Sequence, residues 1–279
     1  MSNTVLTEKS IELSITNGLE EDVVWRREFA KLVSELPSNA VNIWHYGFTE
    51  MLNNAIDHSG GNKVIITFKQ TAISTEITLL DNGEGIFRKI QQAHHLEDER
   101  HAILELSKGK LTTDPDNHTG EGIFFASRMF DDFMILSSGV CFSHNLHTNE
   151  EWIIEDNQAE NGTMVFMKLL NNTTRTDKEI FDQFASEDED YQFTKTIVPA
   201  RLARYGDEQL VSRSQAKRLM ARVDRFKVVL LDFSRVETIG QAFADEVFRV
   251  FARRNTDIKL VHINANEQVM RMIKRAFPQ

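Results

Sequence analysis

The chain has 279 residues, 41% hydrophobic and 27% charged, which is the make-up of a globular protein with a proper core and a prior of two domains. Its net charge of −10 and pI of about 5.4 argue against nucleic-acid binding by charge alone, so DNA is not an expected partner. One cysteine, Cys141, excludes an internal disulfide and a cysteine metal cluster; no apolar run approaches the ~20 residues that span a bilayer, residues 1–9 lack the order of a signal peptide, and a cytoplasmic location without a membrane partner is expected.

Residues 1–16 read as a tail and a short strand at 11–15. Residues 19–36 read as a helix with Val23, Val24, Phe29, Leu32 and Val33 on its apolar side. Pro37 breaks it, and Asn39 stands where it can cap the next helix. In that next helix Phe48, Met51, Leu52, Ala55 and Ile56 mark one apolar face at the i, i+3, i+4, i+7, i+8 spacing. Glu50, Asn53, Asn54, Asp57 and His58 repeat the spacing two residues later, on a different face. Short oxygen donors one turn apart suit a magnesium–phosphate site. A solvated, Asn-rich face accounts for the same pattern taken alone.

Strands follow at 64–69 and 75–80, and the second runs into Asp81-Asn82-Gly83-Glu84-Gly85-Ile86. Two glycines one residue apart make a sharp turn where backbone can approach a ligand, and the Asp at the strand end can accept from an exocyclic amine. Residues 87–119 are polar, charged and partly helical, and read as a lid between two glycine turns. Its histidines, His94, His95 and His101, read as solvated rather than metal-bound. Lys108 and Lys110 reach a phosphate or are solvated, and both readings stand open. Thr119-Gly120-Glu121-Gly122-Ile123 then opens a helix whose first amides favour phosphate. Strands are expected at 133–138, 141–144, 152–155 and 164–169, with Asn161-Gly162 as a turn and Thr163 leading into the last.

Taken in order, these pieces resemble the GHKL superfamily of ATPases, which includes gyrase-type and MutL-type ATPases, histidine kinases and anti-sigma-factor serine kinases. Glu50 and Asn54 match its N-box. Asp81, Gly83 and Gly85 match its first glycine box, Gly120-Glu121-Gly122 its second, and Gly162-Thr163 its late Gly-Thr. The stretch from Glu50 to His58 looks closest to the anti-sigma-factor kinases. The resemblance covers about residues 40–170 and implies a Bergerat-type two-layer α/β sandwich with a mixed sheet, with ATP and Mg²⁺ as cofactors. It implies Glu50 as the catalytic residue, holding or deprotonating an attacking water or hydroxyl, and Asn54 as the Mg²⁺ ligand. The nucleotide-binding residues it implies are Asn54, Asp57, Asp81, Gly83, Gly85, Ile86, Lys108, Lys110, Thr119, Gly120, Glu121, Gly122, Ile123 and Thr163, with Asp81 accepting the adenine amino proton.

The expected division is an ATP-binding domain at 1–172, a linker at 173–191 and a small α/β domain at 192–279. The linker holds a short helix and the acidic run Glu187 to Asp190. Beyond it, strands at 193–198, 228–233 and 258–263 alternate with helices at 212–225, 240–253 and 267–276. The run Val228 to Leu231 suits a central strand covered on both faces, and Phe243, Val247, Val250 and Phe251 give the following helix its core face. The stretch from Leu231 to Ile239 resembles STAS domains, and more closely the STAS-like domain of unknown function found after GHKL domains. In anti-anti-sigma STAS proteins a serine accepts phosphate where this chain has Ala242, so that switch is absent by chemistry; Ser234 and Thr238 lie nearby.

The leading functional reading is a nucleotide-dependent regulatory switch that acts on the second domain or on a protein partner. The alternatives are a serine/threonine kinase acting in trans, a slow ATPase working through homodimerisation, and a non-enzymatic ATP-binding module. A histidine kinase is disfavoured, because no histidine precedes residue 40.

Overall fold

A computed structural model describes residues 4–113, 119–146, 150–155, 161–185, 192–204 and 208–277. The chain divides into two compact units, Met1–Ala102 with Thr112–Ile180, and Ile103–Leu111 with Phe181–Gln279. Residues 173–180, expected in a linker, therefore belong to the first unit. The Asn39 amide donates to the carbonyls of Thr173 (2.8 Å) and Arg175 (2.7 Å), and the Arg175 guanidinium meets the buried Asp131 at 2.9 Å. The acidic run Glu187 to Asp190 lies outside the described residues.

The first unit holds the strands β1 (Val5–Ser14), β2 (Lys63–Thr71), β3 (Ser74–Asp81), β4 (Asp132–Ser137), β5 (Val140–Asn145), β6 (Glu150–Glu155) and β7 (Thr163–Leu170). They form one sheet in the order β1-β2-β3-β7-β4-β5-β6. The expected mixed sheet is antiparallel at every pairing. The reason is topological. β3 and β4 run the same way, as a long helical connection allows, but β7 inserts between them and opposes both. β1 is longer than expected, because it pairs along β2 from Val5 to Ser14.

The helices of the chain are α1 (Glu21–Val24), α2 (Ser38–His58), α3 (Ile86–His94), α4 (Glu99–Lys108), α5 (Gly122–Met129), α6 (Asp177–Phe184), α7 (Arg213–Met220), α8 (Gln241–Ala244), α9 (Ala252–Arg254) and α10 (Glu267–Ala276). The single helix expected at 19–36 is instead α1, a π-helical turn Trp25–Phe29 and further turns. Trp25, Phe29 and Val33, four residues apart, form the buried row there, and Val23 is exposed. Asn39 does not cap α2; Pro37 precedes the helix and no side chain caps it.

α2 buries Ile43, Trp44, Phe48, Met51, Leu52 and Ala55. Phe29 bridges it to the sheet, with ring centroids 5.0 Å from Phe48 and 6.3 Å from Phe68 of β2. Phe130, just past α5, meets Trp44 edge-on at 4.8 Å. Gly47 makes this possible: a β-carbon there would sit 2.3 Å from the Phe130 ring.

The second unit is a three-stranded parallel sheet, β8 (Lys195–Pro199), β9 (Val228–Asp232) and β10 (Lys259–Ile263), ordered β10-β9-β8. β9 is central, as its apolar run predicts, but Val229 and Leu231 are buried while Val228 and Leu230 are half-buried, so one face is covered less completely. The helix expected at 240–253 carries a π-helical stretch, Asp245–Phe251, between α8 and α9. Phe243, Ala244, Val247 and Phe248 are buried there, while Val250 and Phe251 are only half-buried; the extra residue per turn moves the core face.

Gly47→Ala is expected to cost ~1–3 kcal/mol, because the Phe130 ring has a packed core behind it. Chemical denaturation reads this as a lower midpoint at unchanged slope.

Candidate functional site

The site grows from strand ends. β3 ends at Asp81, β7 starts at Thr163, and β4 ends at Ser137, which pairs with Thr163. Because β7 lies between β3 and β4, the three ends are neighbours. Asp81 is buried, and its Oδ1 accepts from the backbone N–H of Gly83 (2.8 Å) and of Thr163 (3.3 Å). Burial pushes its carboxyl above the usual aspartate range, against those two amides, which lower it. The Thr163 hydroxyl oxygen accepts from the Ile86 N–H at 3.0 Å, joining the late Gly-Thr to the first glycine turn.

The glycines are explained by what stands beside them. At Gly85 φ is +93°, and a β-carbon there would meet the Ser137 and Ser138 hydroxyls at 2.7 and 2.8 Å. At Gly162 φ is +104°, and a β-carbon would lie 2.1 Å from the Asp81 carbonyl oxygen. Gly83 leaves no room against the Ser59 carbonyl, at 2.1 Å, so the turn lies directly on the end of α2. That seat is fastened. The Glu84 N–H donates to the Ser59 carbonyl (2.9 Å), Lys89 Nζ donates to the His58 carbonyl (2.7 Å), and Asn82 Oδ1 accepts from the Asn62 and Lys63 amides at 3.0 Å each.

The second glycine turn reaches the same helix. A β-carbon on Gly122 would lie 2.0 Å from Glu50 Oε2, so α5 starts against the Glu50 carboxylate. Tyr46, one turn before Glu50, completes the cluster: burial first, then the negative charges of Glu50 and Glu121, push its phenol well above the usual range. Gly120 holds a left-handed φ of +71°, Thr119 is exposed and Ile123 is buried. Asn54 is half-buried one turn beyond Glu50, and Asp57 is exposed.

Asp81, Gly83, Gly85, Ile86 and Thr163 thus meet where the strand ends reach the end of α2, while Tyr46, Glu50, Glu121 and Gly122 gather further back along the same helix. Lys108 and Lys110 lie in the second unit. Lys108 is buried there, and its Nζ donates to Glu105 (2.6 Å) and to the carbonyls of Ala221 (2.8 Å) and Arg218 (3.2 Å), which uses the three protons of an ammonium. The Lys110 ammonium lies over the Phe193 and Phe226 rings at 5.4 and 5.2 Å. The polar composition that reads as a lid hid this, because the apolar Ile103, Leu104, Leu106 and Leu111 are the residues that bury the segment.

Three residues escaped the sequence reading. Tyr46 was findable at i−4 from Glu50. Ser137 and Ser138 were signalled by the Ser138-Gly139 turn, where both residues hold positive φ in the β4–β5 hairpin. Ser137 also donates to the Gly162 carbonyl at 2.9 Å.

Residues 17–141 match the histidine kinase-like ATPase domain family. The first unit carries a histidine kinase-like ATPase domain. Residues 215–270 match a STAS-like domain of unknown function, so the second unit is STAS-like. No curated protein matches the chain. The ATPase-domain match ends at residue 141, and the late Gly-Thr expected from the sequence, Gly162-Thr163, is joined to the site by the hydrogen bonds of Thr163 to Asp81 and Ile86. The domain family implies nucleotide binding. In the STAS-like unit Asp232 Oδ1 accepts from the Ser234 hydroxyl (2.7 Å), the Ser234 N–H (2.9 Å) and Asn264 Nδ2 (2.9 Å), which fastens the loop after β9. Ala242 lies half-buried in α8. Among the described residues no helix is long and apolar enough to cross a membrane.

Two glycine substitutions separate scaffold from site. Gly162→Ala meets backbone and a left-handed φ, and is expected to lower the melting temperature clearly. Gly122→Ala meets the far end of a flexible side chain, so the melt is expected to stay close to wild type while Glu50 is displaced. Thermal melts of both, with a structure of Gly122→Ala, check this.

Proposed function

We propose that the chain is an ATP–magnesium-dependent regulatory switch, in which the ATPase domain responds to adenine nucleotide and the STAS-like unit carries the response. The observation that carries this reading is the meeting of both glycine turns on α2, one against Ser59 and one against Glu50, beside a buried Asp81. The cradle fits the ligand class, because its glycines leave no space for side chains and present backbone to whatever lies in the turn.

Bound magnesium–ATP supplies the transferable phosphoryl group, and the metal screens its charge. Asp81 accepts the adenine amino proton, oriented by the Gly83 and Thr163 amides, which selects adenine over guanine. The first amides of α5, with the helix dipole behind them, face phosphate charge. Asn54 offers one neutral oxygen to the metal, which takes few protein ligands. Glu50 takes the proton of an attacking water or hydroxyl. A second reading, a serine/threonine kinase acting on a partner protein, uses the same Glu50. It sends the phosphoryl group to another chain, since Ala242 has no hydroxyl.

Turnover and binding of magnesium–ATP on wild type, Glu50→Ala and Asn54→Ala test the reading. Wild type is expected to bind and turn over, Glu50→Ala to bind without turnover, and Asn54→Ala to lose the magnesium-dependent part of binding. No binding of any adenine nucleotide by wild type would sink it.

Asp81 gives a pH signature. Its folded pKa is raised, so its negative charge is lost on acidification at a higher pH than for an ordinary aspartate. Adenine nucleotide affinity is expected to be full at neutral pH and to fall as pH drops through that raised value. Asp81→Asn is expected to weaken binding at pH 7 by ~10-fold or more, the loss of a charged acceptor. Isothermal titration between pH 7.5 and 5.5 reads both.

A further inference from the structure

The segment between the two glycine turns lies within the residues that match the ATPase-domain family but does not stay with the first unit. The chain leaves the first unit after Ala102, contributes Ile103–Leu111 to the STAS-like unit, and returns at Thr112. Both glycine turns, at Gly83–Gly85 and Gly120–Gly122, are in the first unit. Helix α4 runs from Glu99 in the first unit to Lys108 in the second without interruption.

The hold on this segment is specific. Ile103, Leu104, Leu106 and Leu111 are buried, and so is the Glu105–Lys108 ion pair. Lys108 Nζ donates to two carbonyls at the end of α7, Arg218 and Ala221. The Lys108 carbonyl accepts from the Thr196 hydroxyl of β8 at 2.7 Å. The Lys110 carbonyl accepts from the Arg225 guanidinium. Strand β8, the end of α7 and the 3₁₀ turn Val223–Arg225 therefore all grip one nine-residue stretch. A buried charge pair is a poor general adhesive. It is costly unless every partner is in place, so it favours one register over slippage.

We infer that the STAS-like unit is the built-in partner of the nucleotide site, reading its occupancy through Ile103–Leu111. The inference rests on the nucleotide-site reading above. Ordering either glycine turn around a ligand constrains the chain that joins the two turns, and Ile103–Leu111 of that chain are packed in the second unit. Reciprocity follows: whatever binds the STAS-like unit and shifts β8 or the end of α7 alters nucleotide affinity by the same factor.

Hydrogen–deuterium exchange on the full chain, with and without the non-hydrolysable analogue AMP-PNP and magnesium, tests this. Wild type is expected to show protection changes of at least about fivefold in residues 195–199 and 213–227, as well as at the glycine turns, in line with ordinary coupling strengths. Thr196→Val removes one hydroxyl contact to the segment, and Glu105→Gln replaces the charged partner of Lys108 with a neutral acceptor. Each is expected to keep analogue affinity within about threefold and to lose more than half of the distant change. If either variant melts too low to use, the other carries the test. Analogue binding with changes confined to the first unit overturns the inference and leaves the nucleotide site standing. Variants that keep the full distant change overturn it as well. No analogue binding at all removes the nucleotide-site reading, and this inference with it.

Discussion

Helices α2 and α5 approach each other through two glycines, and the ATPase domain depends on that approach. Gly47 admits the Phe130 ring at one contact, and Gly122 admits the Glu50 carboxylate at another. The first contact is apolar and builds core; the second brings a helix N-terminus onto an acidic side chain. With larger residues at both positions the helices would separate, and Glu50 would face solvent rather than the start of α5. The chemistry of the site is thus set by backbone distance more than by any side chain.

The sheet supplies the other half of the site by topology. An all-antiparallel sheet usually places successive hairpins side by side. Here β7, late in sequence, inserts between β3 and β4 and opposes both. Asp81, Ser137 and Thr163 are far apart in the chain and adjacent at the sheet end. Burial of Asp81 costs free energy, and two backbone amides offset part of that cost. A carboxylate held in this way is pre-oriented to accept a further hydrogen bond, which is the part the proposed adenine site asks of it.

The two units share a continuous piece of chain between the glycine turns, rather than being joined only at residues 180–181. Under the coupling inferred above, such a double connection lets the STAS-like unit respond to the nucleotide site.

The sequence alone determined most of the elements and the resemblance to an ATPase domain followed by a STAS-like domain. Periodicity marks α2 and the strands β2, β3 and β7, because each has one face in the core and one out. The glycine turns were legible because only glycine tolerates the left-handed φ at Gly85 and Gly162. Tertiary structure decided what local pattern cannot encode. The π-helical turns at Trp25–Phe29 and Asp245–Phe251 shift which residues face inward, and a 3.6-residue period does not announce them. The position of β7 between β3 and β4 depends on non-local pairing, so the sheet had no parallel pair where a mixed one was expected. Lys108 had the composition of a solvated or phosphate-reaching lid residue, and its partners, Thr196, Arg218 and Ala221, lie about ninety to a hundred and ten residues away. Charge and polarity are local properties read from the chain; burial is set by whatever the fold brings against it.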